Sequence, residues 1–131
     1  MFIGIALAVV VTLFGRLSGF DRDRAFYPTV TLVVAHYYVL FAVVGGEGLL
    51  PEIAVMVLFA AAAVAGFKTS LWLAAAALAG HGLFDFVHAR LIANPGVPVW
   101  WPHFCAGFDV MAAACLGWLL MRGMAHARVL T

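Results

Sequence analysis

HGLFDFVHARLIANPGVPVWWPHFCAGFD, residues 81–109, sets His81, Asp85 and His88 into one apolar segment and Cys105 and Asp109 into the next, with a proline-rich break between them. The apolar residues around these polar ones decide the reading. Of the 131 residues, 66% are hydrophobic and 10% charged, against roughly half and a quarter in soluble domains. Mean hydropathy is +1.11. A chain of this size cannot hide so much apolar surface from water, so runs such as FIGIALAVVVTLFG and MVLFAAAAVAG point to a bilayer as the solvent.

Working outward, apolar runs and helix breakers divide the chain into five expected helices: about 2–15, 28–46, 50–67, 70–92 and 102–122. Pro28 suits the first turn of the second span, Gly45-Gly46 ends it, and Pro51 opens the third. Lys68-Thr69-Ser70 makes a tight hairpin, with Thr69 or Ser70 placed to cap the fourth helix, so spans three and four are expected as antiparallel neighbours. The first run is short for a span. It reaches a normal length only with Leu17 and Phe20 included and Arg16 extending its head group to the interface. No positive charge precedes that run, which predicts a retained membrane anchor rather than a cleaved secretion signal. The expected architecture is all-α, a compact five-span bundle forming a single integral membrane domain over 1–131.

Loop charge sets the expected sidedness. Arg16, Arg22, Arg24, Lys68, Arg122 and Arg128 fall on one side and only Arg90 on the other, which predicts an external N-terminus and a cytoplasmic C-terminus. Glu47, Glu52 and NPGVPVWW then lie outside, with Trp100 and Trp101 at the outer interface and Phe67 and Trp72 at the inner one. The loop Asp21-Arg22-Asp23-Arg24 reads as a solvated cytoplasmic turn, and His126 as part of a polar tail. Small residues at 60–63, 65–66, 74–77, 80, 112–114 and 117 are expected where helices touch. A net charge of +1 without a basic stripe excludes nucleic-acid binding. Cys105 and Cys115, ten residues apart and about 15 Å along a helix, are too distant for a disulfide.

His81, Asp85 and His88, spaced four and three apart, fall within about 60° of one another on a helix and form one polar stripe. Counted at about 1.5 Å per residue from Ile92 and Pro102, Asp85 and Asp109 each lie about 10 Å deep, with His81 a turn deeper and His88 a turn shallower. His36 on the second span reaches the level of His81, and Cys105 shares a face with Asp109. An ionised Asp at such depth costs roughly 2.5–3.5 kcal/mol even on permissive scales, so these carboxyls are expected protonated, paired with histidine, or bound to a cation.

Three uses follow. As a metal site, His36, His81 and His88 supply nitrogen and Asp85 oxygen, a set that zinc or non-haem iron accepts, with Asp85 and Asp109 as the catalytic carboxylates. As a relay, alternating His and Asp pass protons inward. As interhelical glue, each hydrogen-bonded pair contributes about 0.6 kcal/mol. Asn94-Pro95-Gly96-Val97-Pro98 and Pro102 make a stiff connection that either covers the stripe or merely closes the loop, with His103 at its mouth. Tyr37-Tyr38 reads as packing.

On His81, Asp85, His88, Asn94-Pro95, Pro98, Pro102, Cys105 and Asp109, the chain resembles a family of small bacterial multi-span integral membrane proteins classed as a domain of unknown function. That likeness implies membrane location and a shared polar motif, but no reaction. On His81, Gly82 and Asp85 alone it resembles membrane-bound carotene-cleaving oxygenases, which bind iron through histidines. The expectation is a protein of the bacterial inner membrane whose His/Asp site acts, with zinc or iron, on a lipid or isoprenoid drawn from the surrounding membrane lipids. The alternatives are a non-catalytic accessory subunit of a larger complex or a homo-oligomer, and, third, a proton or ion conduit.

Overall fold

A computed structural model describes residues 1–123; His126 and Arg128 lie outside the described residues. The elements in order are α1 (Phe2–Ser18), a 3₁₀ turn (Phe20–Arg22), α2 (Phe26–Gly45), α3 (Leu49–Lys68), α4 (Leu71–Leu91) and α5 (Trp101–Met121), and the described residues contain no strand. Four of the helices, α2 to α5, are long and apolar enough to cross a membrane, while α1 is an apolar helix of 17 residues.

Local chemistry sets the boundaries. Gly19, Gly46 and Gly48 take φ of 80°, 73° and 80°. This left-handed geometry lets α1 and α2 stop and α3 start without a Cβ clash. Ser70 caps α4 by accepting a hydrogen bond from the Trp72 amide at 3.3 Å. Pro102 sits in the first turn of α5, where no intrahelical amide is needed. The segment 92–100 between α4 and α5 has no helical residues.

α4 lies at the centre, packed most extensively against α5 and also against α3 and α2, while α1 packs on the far side of α5. The closest approach of α4 and α5 is at Gly82, where an added Cβ would lie 2.9 Å from Val110 Cγ2 and 3.1 Å from Asp109 Cβ. Gly66 does the same for the α3–α4 hairpin, since a Cβ there would meet the Ala74 backbone nitrogen at 2.8 Å. Gly4 lets α1 close onto the α5 backbone at Phe104 and Phe108. The backbones of α1 and α2 never come close, although Tyr27 donates a 3.4 Å hydrogen bond to Thr12 Oγ1. A cleft floored by Phe108 of α5 separates them.

Arg16, Arg22, Arg24, Lys68 and Arg122 gather at one end of the bundle, and Arg90 stands near the other. The 21–24 segment is more than the solvated turn its sequence suggests. Asp21 is buried and ion-paired with Arg16 at 2.8 Å, and the Arg24 guanidinium donates to the carbonyls of Phe67 and Gly66 at the C-terminus of α3. Unsatisfied carbonyls and the negative end of the helix dipole make that position favourable for arginine.

Candidate functional site

Apart from Thr31 and the ion-paired Asp21, the buried polar side chains of the described residues form a belt towards the end that carries the 92–100 segment. His81, Asp85 and His88 project from the buried face of α4, Asp109 and Cys105 from α5, Tyr38 from α2 and Glu52 from the first turn of α3. All seven are buried. They divide into two groups.

The deeper group joins α4 to α5. His81 Nδ1 lies 2.6 Å from Asp109 Oδ2 and 3.8 Å from Asp85 Oδ2. The Cys105 thiol donates to Asp109 Oδ2 at 3.6 Å, and the Tyr38 hydroxyl donates to Asp85 Oδ1 at 2.6 Å. His81, Asp85, Cys105 and Asp109 each present one donor atom, and these atoms all lie within 4.8 Å of one another. Helical spacing explains the convergence. Residues 81 and 85, and residues 105 and 109, are i,i+4 pairs, each on one face, and Gly82 lets the two faces approach. Phe59 meets the His81 ring edge-on at a centroid distance of 4.8 Å, which closes the group on its third side.

The shallower group joins α3, α4 and the loop. His88 Nε2 lies 2.6 Å from Glu52 Oε1. The Asn94 amide donates to the same oxygen at 2.8 Å and to the Tyr38 carbonyl at 3.0 Å. Tyr38 links the groups, because its ring stacks on His88 with centroids 4.1 Å apart while its hydroxyl holds Asp85. A cavity of about 460 Å³, lined by Glu47, His88, Asn94 and the prolines 95, 98 and 102, leads from the loop surface to this group.

The four expected metal ligands are therefore not assembled as one set. His81 and Asp85 are together, but His88 is engaged by Glu52. His36 is exposed on the outer face of α2, where its Nδ1 lies 3.2 Å from Met56 Sδ. The reason is angular: His36 and Tyr38 are about 200° apart on α2, so only one can face α4, and Tyr38 does, with Thr31, Val34, Ala35 and Ala42 on the same buried side. Of the two carboxylates expected to be catalytic, Asp85 and Asp109 both lie in the deeper group. His103 is exposed and does not line the loop cavity. Three participants escaped the sequence reading, namely Tyr38, Glu52 and Asn94. The available signal for Glu52 was its place directly after Pro51, in the first turn of a helix, rather than in the loop before it.

The electrostatics of the deeper group are unbalanced by its own members. Two buried carboxyls share one imidazole, and His81 Nε2, Asp85 Oδ2 and Asp109 Oδ1 are buried with no hydrogen-bond partner. Each such orphan costs about 1–3 kcal/mol in a protein interior. A nitrogen, two carboxylate oxygens and a sulfur form a donor set that a divalent transition metal accepts. Zinc ligands at 2.0–2.3 Å on tetrahedral corners lie about 3.3–3.8 Å apart; the His81–Asp85 and Cys105–Asp109 separations fall in that range, and the group as a whole, spread over 4.8 Å, would have to contract around an ion. The 2.6 Å His81–Asp109 contact is a proton-sharing distance, so a metal would displace that proton and spread the pair. The chain matches no protein-family model, and comparison with curated proteins and with solved structures returned no match.

Proposed function

We propose that this chain is a multi-pass protein of the bacterial inner membrane. Its group His81, Asp85, Cys105 and Asp109 binds one divalent metal, zinc or ferrous iron, and uses it on a hydrophobic molecule from the bilayer. The observation that carries this reading is the gathering of four buried side chains of metal-ligating type between α4 and α5, each with a ligand atom within 4.8 Å of the others. One dication would compensate both carboxylates at once, which a single imidazolium does not. A metal held by His81, Asp85 and Cys105, with Asp109 giving way at the fourth position, would supply Lewis acidity and an activated water. Of the protein groups, Tyr38 holds Asp85 in place through its hydroxyl, and Asp109, next to the Cys105 thiol, is the carboxylate positioned to accept a proton. The cavity beside His88 and Asn94 is the route for water.

Five spans, with the N-terminus outside, complete the proposal. α1 is shorter than the other helices, but it packs extensively against α5, and a tilted or locally thinned bilayer accommodates its length.

Metal analysis of the protein purified in detergent tests the reading. Wild type is expected to hold one equivalent of zinc or iron, or to regain it on reconstitution. His81→Ala and Asp109→Asn are expected to weaken it at least 100-fold. Cobalt loading should give a thiolate charge-transfer absorption that disappears in Cys105→Ser. Failure of the reconstituted wild-type protein to retain any of the three metals would abandon the metal site. A second reading, a non-catalytic subunit whose polar belt fixes helix packing, is favoured by one feature: every contact of the belt except Cys105–Asp109 and the i,i+4 pair on α4 crosses between elements. It predicts a metal-free protein that co-purifies with fixed partners.

A further inference from the structure

The α1–α2 cleft and the buried metal-ligating group meet at one residue, Cys105. The cleft consists of two adjoining cavities of about 290 and 510 Å³ that share Val11, Val33, Val34 and Phe108. Beside the site it is walled by Tyr37, Trp101 and Phe104, with Cys105 in its floor. At the arginine-rich end it finishes against Phe20 and Phe26. Cys105 thus has the cleft on one side and Asp109, 3.6 Å from its sulfur, on the other.

We infer that this cleft binds one acyl chain of a bilayer glycerolipid and presents the lipid's ester linkage to the Cys105–Asp109 edge of the buried group. The inference names the substrate class for the proposed site and rests on that proposal for its chemistry, though the binding itself does not need the metal. Length supports an acyl chain. From Ala25, at the arginine-rich end, to Tyr37 the cleft follows α2 for about 18 Å, more than the roughly 15 Å of one leaflet of hydrocarbon, so an extended chain held in it would reach past the bilayer midplane. Depth supports a linkage at Cys105. Trp101 begins α5 at the end where an aromatic belt meets the head groups, and Cys105 lies one turn below it, about 6 Å deeper. A lipid whose head group stays at the interface therefore has its ester region level with the sulfur and its chain descending past Phe108 and Val34. The lining is chiefly valine and aromatic, with Cys105 and Tyr37 as its polar members near the site and Thr29 and Asp23 at the far end.

A phosphatidylethanolamine carrying a diazirine along one acyl chain, reconstituted with the full chain in nanodiscs and photolysed, tests this. Saturable crosslinks are expected to concentrate on segments 30–37 and 104–108, to be competed by unlabelled phosphatidylethanolamine and not by farnesol, and to fall at least five-fold in Val34→Trp and in Val11→Phe. The two variants fill the cleft from different helices, so the inference stays testable if one of them fails to fold. His81→Ala should lose metal and keep the crosslinks, which separates failure of the metal site from failure of the cleft. Labelling spread over all apolar helix faces in proportion to exposure, displacement by farnesol alone, or crosslinks to a second copy of the chain at these segments would each overturn the inference.

Discussion

His36 and Tyr38 stand two residues apart on α2, and the difference in what they touch is a difference of helix angle. Tyr38 is buried, donates to Asp85 at 2.6 Å and stacks on His88, whereas His36 faces outward with Met56 as its neighbour. Tyr38→Phe keeps the ring and removes one donor, leaving Asp85 Oδ1 as well as Oδ2 without a partner, so a loss of about 1–3 kcal/mol is expected in reversible unfolding from mixed micelles. His36→Ala removes a lipid-facing side chain outside the belt and is expected to change stability by less than about 0.5 kcal/mol and metal content not at all. His88→Ala leaves the buried Glu52 carboxyl with only the Asn94 amide and is expected to cost up to about 3–5 kcal/mol, while His88→Ala with Glu52→Gln should recover part of that loss. A double-mutant cycle reads the coupling, and additivity of the two changes would show that the 2.6 Å contact is energetically idle. Sequence spacing made the shared faces of His81 with Asp85 and of Cys105 with Asp109 legible, because the angle per residue is a property of one helix. It did not reveal which way α2 and α3 are rotated about their own axes. That is why the equal depth of His36 was no guide to its surroundings and why Glu52 was missed.

At the scale of elements, the site depends on how closely two helices approach. Gly82 is the residue of α4 that sits against Asp109 and Val110 of α5, one position from His81, so the backbone contact and the His81–Asp109 contact are set together. Gly82→Val inserts carbon atoms where even a Cβ is tight at 2.9 Å. Separating the helices should weaken metal binding by at least ten-fold and stability by about 1–3 kcal/mol, whereas Gly80→Val, with only Phe59 within reach at 3.7 Å, should be tolerated. The comparison of the two variants in metal titrations checks this, and equal effects would mean that helix spacing does not control the site. Helix ends were readable because they are local chemistry: the glycine pair at 45–46, the cap at Ser70 and the prolines at 51 and 102 each act on their own backbone. The end of α1 was not. Its run continues through Arg16 to Ser18 because Arg16 turns to pair with Asp21 rather than stopping the helix. Neither could sequence show that α1 packs on α5, since close packing through Gly4 involves a partner a hundred residues away.

For the whole molecule, the charge distribution sets the expected sidedness. Except for Arg90, the Lys and Arg side chains of the described residues gather at the end formed by the C-termini of α1, α3 and α5, and the opposite end carries Glu47, Arg90 and the tryptophans 100 and 101. Lys and Arg near span ends are retained on the cytoplasmic side during insertion, so the end with the loop cavity and the polar belt should face outward. The native thiols do not interfere with a labelling test, because Cys105 is buried and Cys115 is half-buried within α5. In intact cells a membrane-impermeant maleimide is expected to modify Glu47→Cys, and to modify Arg22→Cys only after permeabilisation. The opposite pattern would place the belt in the cytoplasmic half of the bilayer. It would also reverse the leaflet from which a lipid enters the α1–α2 cleft while leaving the metal-ligating geometry untouched. Adding cations to the outward end supplies the control, since Glu47→Lys with Val97→Lys reduces the charge asymmetry that drives insertion and should give a mixed population labelled from both sides.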